Sequence, residues 1–140
     1  MRSPVDRPLA FVARGTGFAF IKSLLEQQVN MLPQRPMLLF WGATSSDDFY
    51  ELEQMATLMR RAPKLRVTLV ARRFDPDFIP PERAGVATGR LSDALAASGL
   101  DLSGFDAYLA GPRLTVTECL LALRGLGVEE DRLFADSMAA

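Results

Sequence analysis

The chain has 140 residues, a formal net charge of -1, one cysteine and no histidine. That length supports one hydrophobic core and leaves no room for a second full domain. The near-neutral charge offers no basic field for nucleic acid, and the missing imidazole excludes His-based triads and most catalytic zinc sites.

Any chemistry must therefore come through a bound cofactor, and the partners expected are small molecules or proteins. The longest apolar runs, such as Met37 to Trp41, fall far short of the roughly 20 residues of a transmembrane helix, so no membrane span is expected. Met1 to Asp6 lacks the apolar stretch of a secretion signal, and one cysteine forms no internal disulfide. A cytoplasmic protein is the expectation.

Leu9 to Ala13 is an unbroken apolar run, which predicts a strand buried on both faces. Gly15-Thr16-Gly17 then opens a helix of about four turns, in which Phe18, Ile21, Leu24, Leu25 and Gln28 recur at intervals of three and four. Pro33 and Pro36 close it. Met37 to Trp41 is the second strand. Ser46, Asp47 and Asp48 supply capping oxygens for a helix that presents Leu52, Met55 and Met59 and ends in Arg60-Arg61, suited to the helix dipole.

Leu65 to Val70 reads as the third strand, followed by a proline- and charge-rich loop from Arg72 to Arg83. A short helix over about Ser92 to Ala97 leads through Gly99 and Gly104 to a fourth strand, Asp106 to Ala110. Gly111-Pro112 turns that strand into a helix with Val116, Leu120 and Leu123 on one face, which Gly125 and Gly127 end. Leu133 to Ala135 is the fifth strand.

Alternating strands and helices imply right-handed crossovers and a three-layer αβα doubly wound fold, with about five parallel strands covered on both faces. Residues 1–140 are expected to be this one domain. Ligands of such sheets lie beyond the carboxyl ends of the strands, at the point where the strand order reverses. The turns after strands one and four flank that point. Glycine at 15, 17 and 111 lets backbone approach a diphosphate, helix N-termini offer amide hydrogens, and Thr16 adds a hydroxyl. Alone, the first turn reads as readily as an ordinary strand-to-helix turn, and the second reads more readily as one; two at one edge favour a paired clamp.

The motifs Gly15-Thr-Gly-Phe-Ala19 with Ile21-Lys-Ser23, Phe40-Trp-Gly-Ala43 with Asp48-Phe-Tyr-Glu-Leu52, Leu69-Val-Ala-Arg72, Gly85-Val-Ala-Thr-Gly89, Asp106-Ala-Tyr-Leu-Ala-Gly-Pro112 and Leu133-Phe-Ala-Asp136 follow in order over almost the whole chain. In this the sequence resembles the pyridine-nucleotide domain of ferredoxin-NADP reductase-like oxidoreductases, above all the reductases that feed electrons to bacterial oxygenases. The resemblance implies NAD or NADP lying across the carboxyl edge. The diphosphate would sit near Gly15, Thr16 and Gly17, the nicotinamide near Ala110, Gly111 and Pro112, and the adenosine near Gly42, Thr44 and Arg72. It implies hydride transfer to FAD on a separate β-barrel domain, which this chain does not contain.

The resemblance also marks departures. Family members usually carry glycine at the position of Arg14, proline at Phe20, cysteine at Ala110 and an aromatic residue near Met138. Nucleotide binding is thus better supported than hydride transfer. Asp136 matches an acidic position near the nicotinamide and is otherwise a solvated carboxylate; Arg72 and Arg73 would hold a 2′-phosphate or are solvated.

Cys119, among apolar helix residues, reads as a small core hydrophobe. Trp41 reads as core too, close enough to the adenosine site to report on it. The function implied is an NAD(P)H-binding module of a flavin-dependent oxidoreductase, partnered by a flavin domain in the same parent chain or another subunit. The alternative is a non-catalytic domain of the same fold kept as an interaction or regulatory module. A receiver-like domain is disfavoured, because Ala13-Arg14 stand where it needs acidic residues.

Overall fold

Continuous apolar strands need cover on both faces, and amphipathic helices supply it. The computed structural model describes residues 7–138, apart from the Met138 side chain; Met1 to Asp6 lie outside the described residues. In chain order the elements are β1 (Leu9–Arg14), α1 (Gly17–Met31), β2 (Met37–Ser45), α2 (Leu52–Arg61), β3 (Leu65–Arg73), β4 (Gly85–Thr88), α3 (Leu91–Ala97), β5 (Asp106–Pro112), α4 (Arg113–Gly125) and β6 (Leu133–Met138). The strands pair in parallel in the order β4-β3-β2-β1-β5-β6.

The sheet therefore has six strands rather than about five. The extra one, β4, is a four-residue edge strand with little burial, so it carries no apolar signature to betray it. The strand order reverses at β1, which pairs with β2 on one side and β5 on the other.

The alternation of side chains sorts the core into two layers. Phe11, Ala13, Leu39, Trp41, Val67 and Leu69 pack with Phe18, Ile21 and Leu25 of α1 and Met55 and Met59 of α2. Ala10, Val12, Phe40, Val70 and Leu109 pack with Leu91 and Leu95 of α3 and Cys119 and Leu123 of α4. At the amino rim, Arg7 Nε donates to Asp106 Oδ1 over 2.7 Å and ties the approach to β1 to the start of β5.

Local chemistry differs from expectation before α2. Asp47 N donates to Ser45 Oγ over 3.3 Å, and Asp48 Oδ2 accepts from Ser45 N over 3.1 Å. These oxygens cap a short 3-10 turn at residues 46–48, while α2 starts later, behind Glu51 in the left-handed region at φ 55°. Lys22 Nζ holds Glu51 Oε2 at 2.6 Å, and that carboxylate raises the Lys22 pKa above its ordinary value. Pro112 precedes α4 in extended conformation, ψ 148°, rather than occupying its first turn.

Candidate functional site

Register places the two glycine turns side by side. Ala13 pairs with Ala110 across β1 and β5, so both strands reach the carboxyl rim at the switch point. Gly15 holds φ at 61° with open space around it, a conformation that disfavours side chains.

Gly17 serves packing instead. A Cβ there would lie 2.7 Å from Gly111 N and nearer still to the Ala110 carbonyl, so α1 begins in direct contact with the end of β5. The two turns share one rim, as the clamp requires, but touch and leave no slot between them.

The open space lies toward α3 and α4. A cleft of about 430 Å³ is lined by Arg14, Gly42, Ala43 and Arg72 from the strand ends, by residues 89–92 at the start of α3, and by Pro112, Leu114, Thr115 and Glu118 of α4. Strand alternation explains the first group: Val12, Phe40 and Val70 face the layer beneath α3 and α4, so Arg14, Gly42 and Arg72 face the space above it. A Cβ at Gly42 would meet Leu91 Cδ2 at 3.0 Å, so glycine lets α3 close down on the sheet.

The electrostatics are one-sided. Three guanidinium groups, Arg14, Arg72 and Arg90, face the cleft with one carboxylate, Glu118. Arg14 Nη2 donates to Thr44 Oγ1 over 2.9 Å, which fixes its head group across the β1–β2 boundary. Arg90 Nη1 lies 3.2 Å from Glu118 Oε2. Neither α1 nor α4 carries an acidic residue in its first turn, so their dipoles add positive potential at the rim. Dinucleotide phosphates suit this donor set, guanidinium groups beside helix starts.

Of the residues expected to bind, Gly42, Arg72 and Pro112 line the cleft. Gly15, Thr16 and Thr44 are exposed around the rim, whereas Gly17, Ala110 and Gly111 are buried where α1 meets β5. Asp136 is exposed on β6, in register with Ala110, and does not line the cleft.

Arg73 alternates to the other face of β3, which parts it from Arg72. Phe20 is 43% exposed one turn into α1. The Trp41 ring lies in the layer under α1, stacked on Phe18 at 3.5 Å between centroids and only 2% exposed, which removes it as a direct reporter of the cleft.

Arg14, Arg90, Thr115 and Glu118 escaped sequence reasoning as binding residues. A signal existed for Arg14: like Arg72 it stands two residues beyond an apolar residue of the same strand face, and the paired spacing marks one ligand-facing row. Cys119, fully buried, has its thiol pushed up to about 12 by burial and, secondarily, by Glu118, so it is no nucleophile. Among the described residues, no cluster of acidic and thiol groups could hold a metal, and no helix is long and apolar enough to cross a membrane.

Comparison with known proteins agrees with this geometry. The chain is 28% identical over 138 residues to the ferredoxin--NAD(P)(+) reductase component of the naphthalene 1,2-dioxygenase system of Pseudomonas putida, covering 98% of this chain and 40% of that protein. It is 28% identical over 142 residues to a probable flavin reductase of Aliivibrio fischeri, covering 99% and 57% respectively. The chain thus spans about half the length of these curated relatives.

The fold is similar to that of the Amycolatopsis cytochrome P450 reductase GcoB, with a TM-score of 0.79 at 22% identity over 99% of this chain and 41% of that one. It is also similar to a Neisseria gonorrhoeae ferredoxin NADP+ reductase solved with FAD and NADP, at TM-score 0.72, 17% identity, 96% of this chain and 57% of that one. The family model for the oxidoreductase NAD-binding domain matches residues 11–119, and with its reversed strand order and arginine-lined rim the chain belongs to that family.

Proposed function

We propose that this domain binds NAD(P)H along the carboxyl rim as the nucleotide module of a flavin-dependent electron-transfer reductase. The observation that carries this reading is the surplus of guanidinium groups in a cleft beside the switch point, on a chain of the NAD-binding family. When bound, the nicotinamide supplies a hydride, two electrons and a proton, to a flavin such as FAD held by a separate domain of the parent chain or by a partner subunit. Reductase relatives roughly twice as long as this chain support that partner, and a cytoplasmic setting fits such a role.

The chain's own residues position the nucleotide. Arg14, fixed by Thr44, and the exposed Gly15–Thr16 turn hold the diphosphate together with the start of α4 at Pro112 and Thr115. Gly42, Ala43 and Arg72 receive the adenosine end. Gly111 and the backbone of Ala110 border the nicotinamide, and Asp136, next to Ala110 in register, is the nearest acid from β6. Gly17 acts one step removed, by pressing α1 onto Ala110.

Isothermal titration with NADH and NADPH tests the binding, and mixing the domain with a flavin-loaded barrel tests hydride transfer by loss of flavin absorbance. Absence of binding to both nucleotides at millimolar concentration overturns the reading. The second reading, a non-catalytic interaction or regulatory module, is favoured by the buried Ala110 and exposed Phe20 where relatives usually have cysteine and proline. It predicts that the flavin stays oxidised even when nucleotide binds; Ala110→Cys then separates an impaired reductase, which gains activity, from a repurposed domain, which does not.

A further inference from the structure

The Arg90–Glu118 pair does no visible structural work. Arg90 precedes α3, bonds by side chain only to Glu118 of α4, and is 55% exposed against 35% for its partner. A single 3.2 Å contact between such exposed groups is easily given up. The backbone fixes where Arg90 starts: Gly89 N donates to Ala71 O over 2.8 Å, which sets the residue beside Arg72 at the end of β3. The Arg72 side chain has no hydrogen-bond or ion-pair partner among the described residues.

Resting on the dinucleotide reading above, we propose that Arg90 and Glu118 set the nucleotide specificity. Arg90 joins Arg72 in taking the additional phosphate that distinguishes NADPH from NADH, and Glu118 is the internal anion exchanged for it. Charge counting supports the assignment. The diphosphate shared by both nucleotides carries two negative charges, which Arg14 and the positive starts of α1 and α4 offset, while Arg72 stands at the adenosine end and Arg90 stays with Glu118. A phosphomonoester brings about 1.5 to 2 further negative charges at pH 7 and a pair of oxygens matched to the guanidinium fork, so it outcompetes a single carboxylate contact. Glu118 competes with that extra phosphate for Arg90, so its charge tempers the affinity for NADPH and bears little on NADH.

The test is calorimetric titration of the 140-residue chain and its Arg90→Gln and Glu118→Gln variants with NADP+ and NAD+, with melting curves to verify folding. The expected result is wild-type binding about tenfold tighter for NADP+ than NAD+, a preference that Arg90→Gln abolishes by weakening NADP+ alone. Glu118→Gln is expected to tighten NADP+ severalfold and to leave NAD+ within about twofold. Equal wild-type affinities, or an Arg90→Gln variant that weakens both nucleotides alike, overturn the specificity role and leave dinucleotide binding intact. Failure of the folded wild type to bind either overturns the dinucleotide reading and this inference with it.

Discussion

Gly17 rests on the carbonyl group of Ala110, so that the first residue of α1 and the last turn of β5 share space that a methyl group cannot enter. Backbone on both sides leaves nothing flexible to yield. Gly17→Ala is accordingly expected to cost about 3 kcal/mol, the upper end of the roughly 1–3 kcal/mol typical of overpacking, in urea or guanidinium unfolding. Gly15→Ala meets no neighbour but must hold φ at 61°, so its cost is only the left-handed penalty of about 1 kcal/mol. Equal costs at the two positions would contradict the packing role of Gly17.

Arg14 supplies a fixed charge to the cleft rather than stability to the fold, because its one bond, to Thr44, is exposed. Arg14→Ala should shift the unfolding midpoint little while weakening nucleotide binding about tenfold, as loss of a charge-assisted phosphate contact does. Titrations at about 0.01 M and about 0.15 M salt, where the screening length falls from about 30 Å to about 8 Å, should show weaker binding at the higher value. The variant should show a shallower salt dependence than wild type.

Cys119 should resist thiol reagents in the native protein and react only on unfolding, since its thiol is pushed up to about 12 inside the layer beneath α4. The same shift gives a pH effect of definite sign. The unfolded thiol loses its proton near the ordinary 9.0 while the folded one keeps it, so this contribution to stability is complete below pH 9 and falls between 9 and about 12. The slope approaches about 1.4 kcal/mol per pH unit. Cys119→Ala should flatten that part of the curve; an unchanged slope would assign the alkaline loss to other groups.

Trp41 lies flat on Phe18 and is met edge-on by Phe49 and Tyr50 in the layer under α1. Its emission should be blue-shifted in the native state and move to the red on denaturation. Nucleotide added to the cleft on the opposite face should change it little. Truncating either ring to alanine should cost about 3–5 kcal/mol, as large aromatic deletions in cores do.

Much of this architecture is legible in the sequence, because strands buried on both faces leave unbroken apolar runs and α1 leaves a clear three-four repeat. β4 is hidden because four mostly exposed residues at a sheet edge have no periodicity. The oxygens at Ser46, Asp47 and Asp48 mislead for a different reason: a capping pattern looks alike before a 3-10 turn and before a helix, and the left-handed Glu51 that divides the two carries no glycine to announce it. At the site, Gly42, Arg72 and Pro112 could be named from local motifs. Arg90, Thr115 and Glu118 could not, since helix packing rather than chain proximity brings α3 and α4 to β1 and β3.

The reversal of strand order at β1 has a mechanical corollary. Arg14, Gly42 and Arg72 belong to the stretch that builds the sheet toward β4, whereas Thr115 and Glu118 belong to the stretch that builds it toward β6. An occupant of the crevice holds both stretches at once and acts as a staple across the middle of the molecule. Amides in β5 and α4 should then exchange with deuterium more slowly as nucleotide concentration rises, in step with the melting temperature.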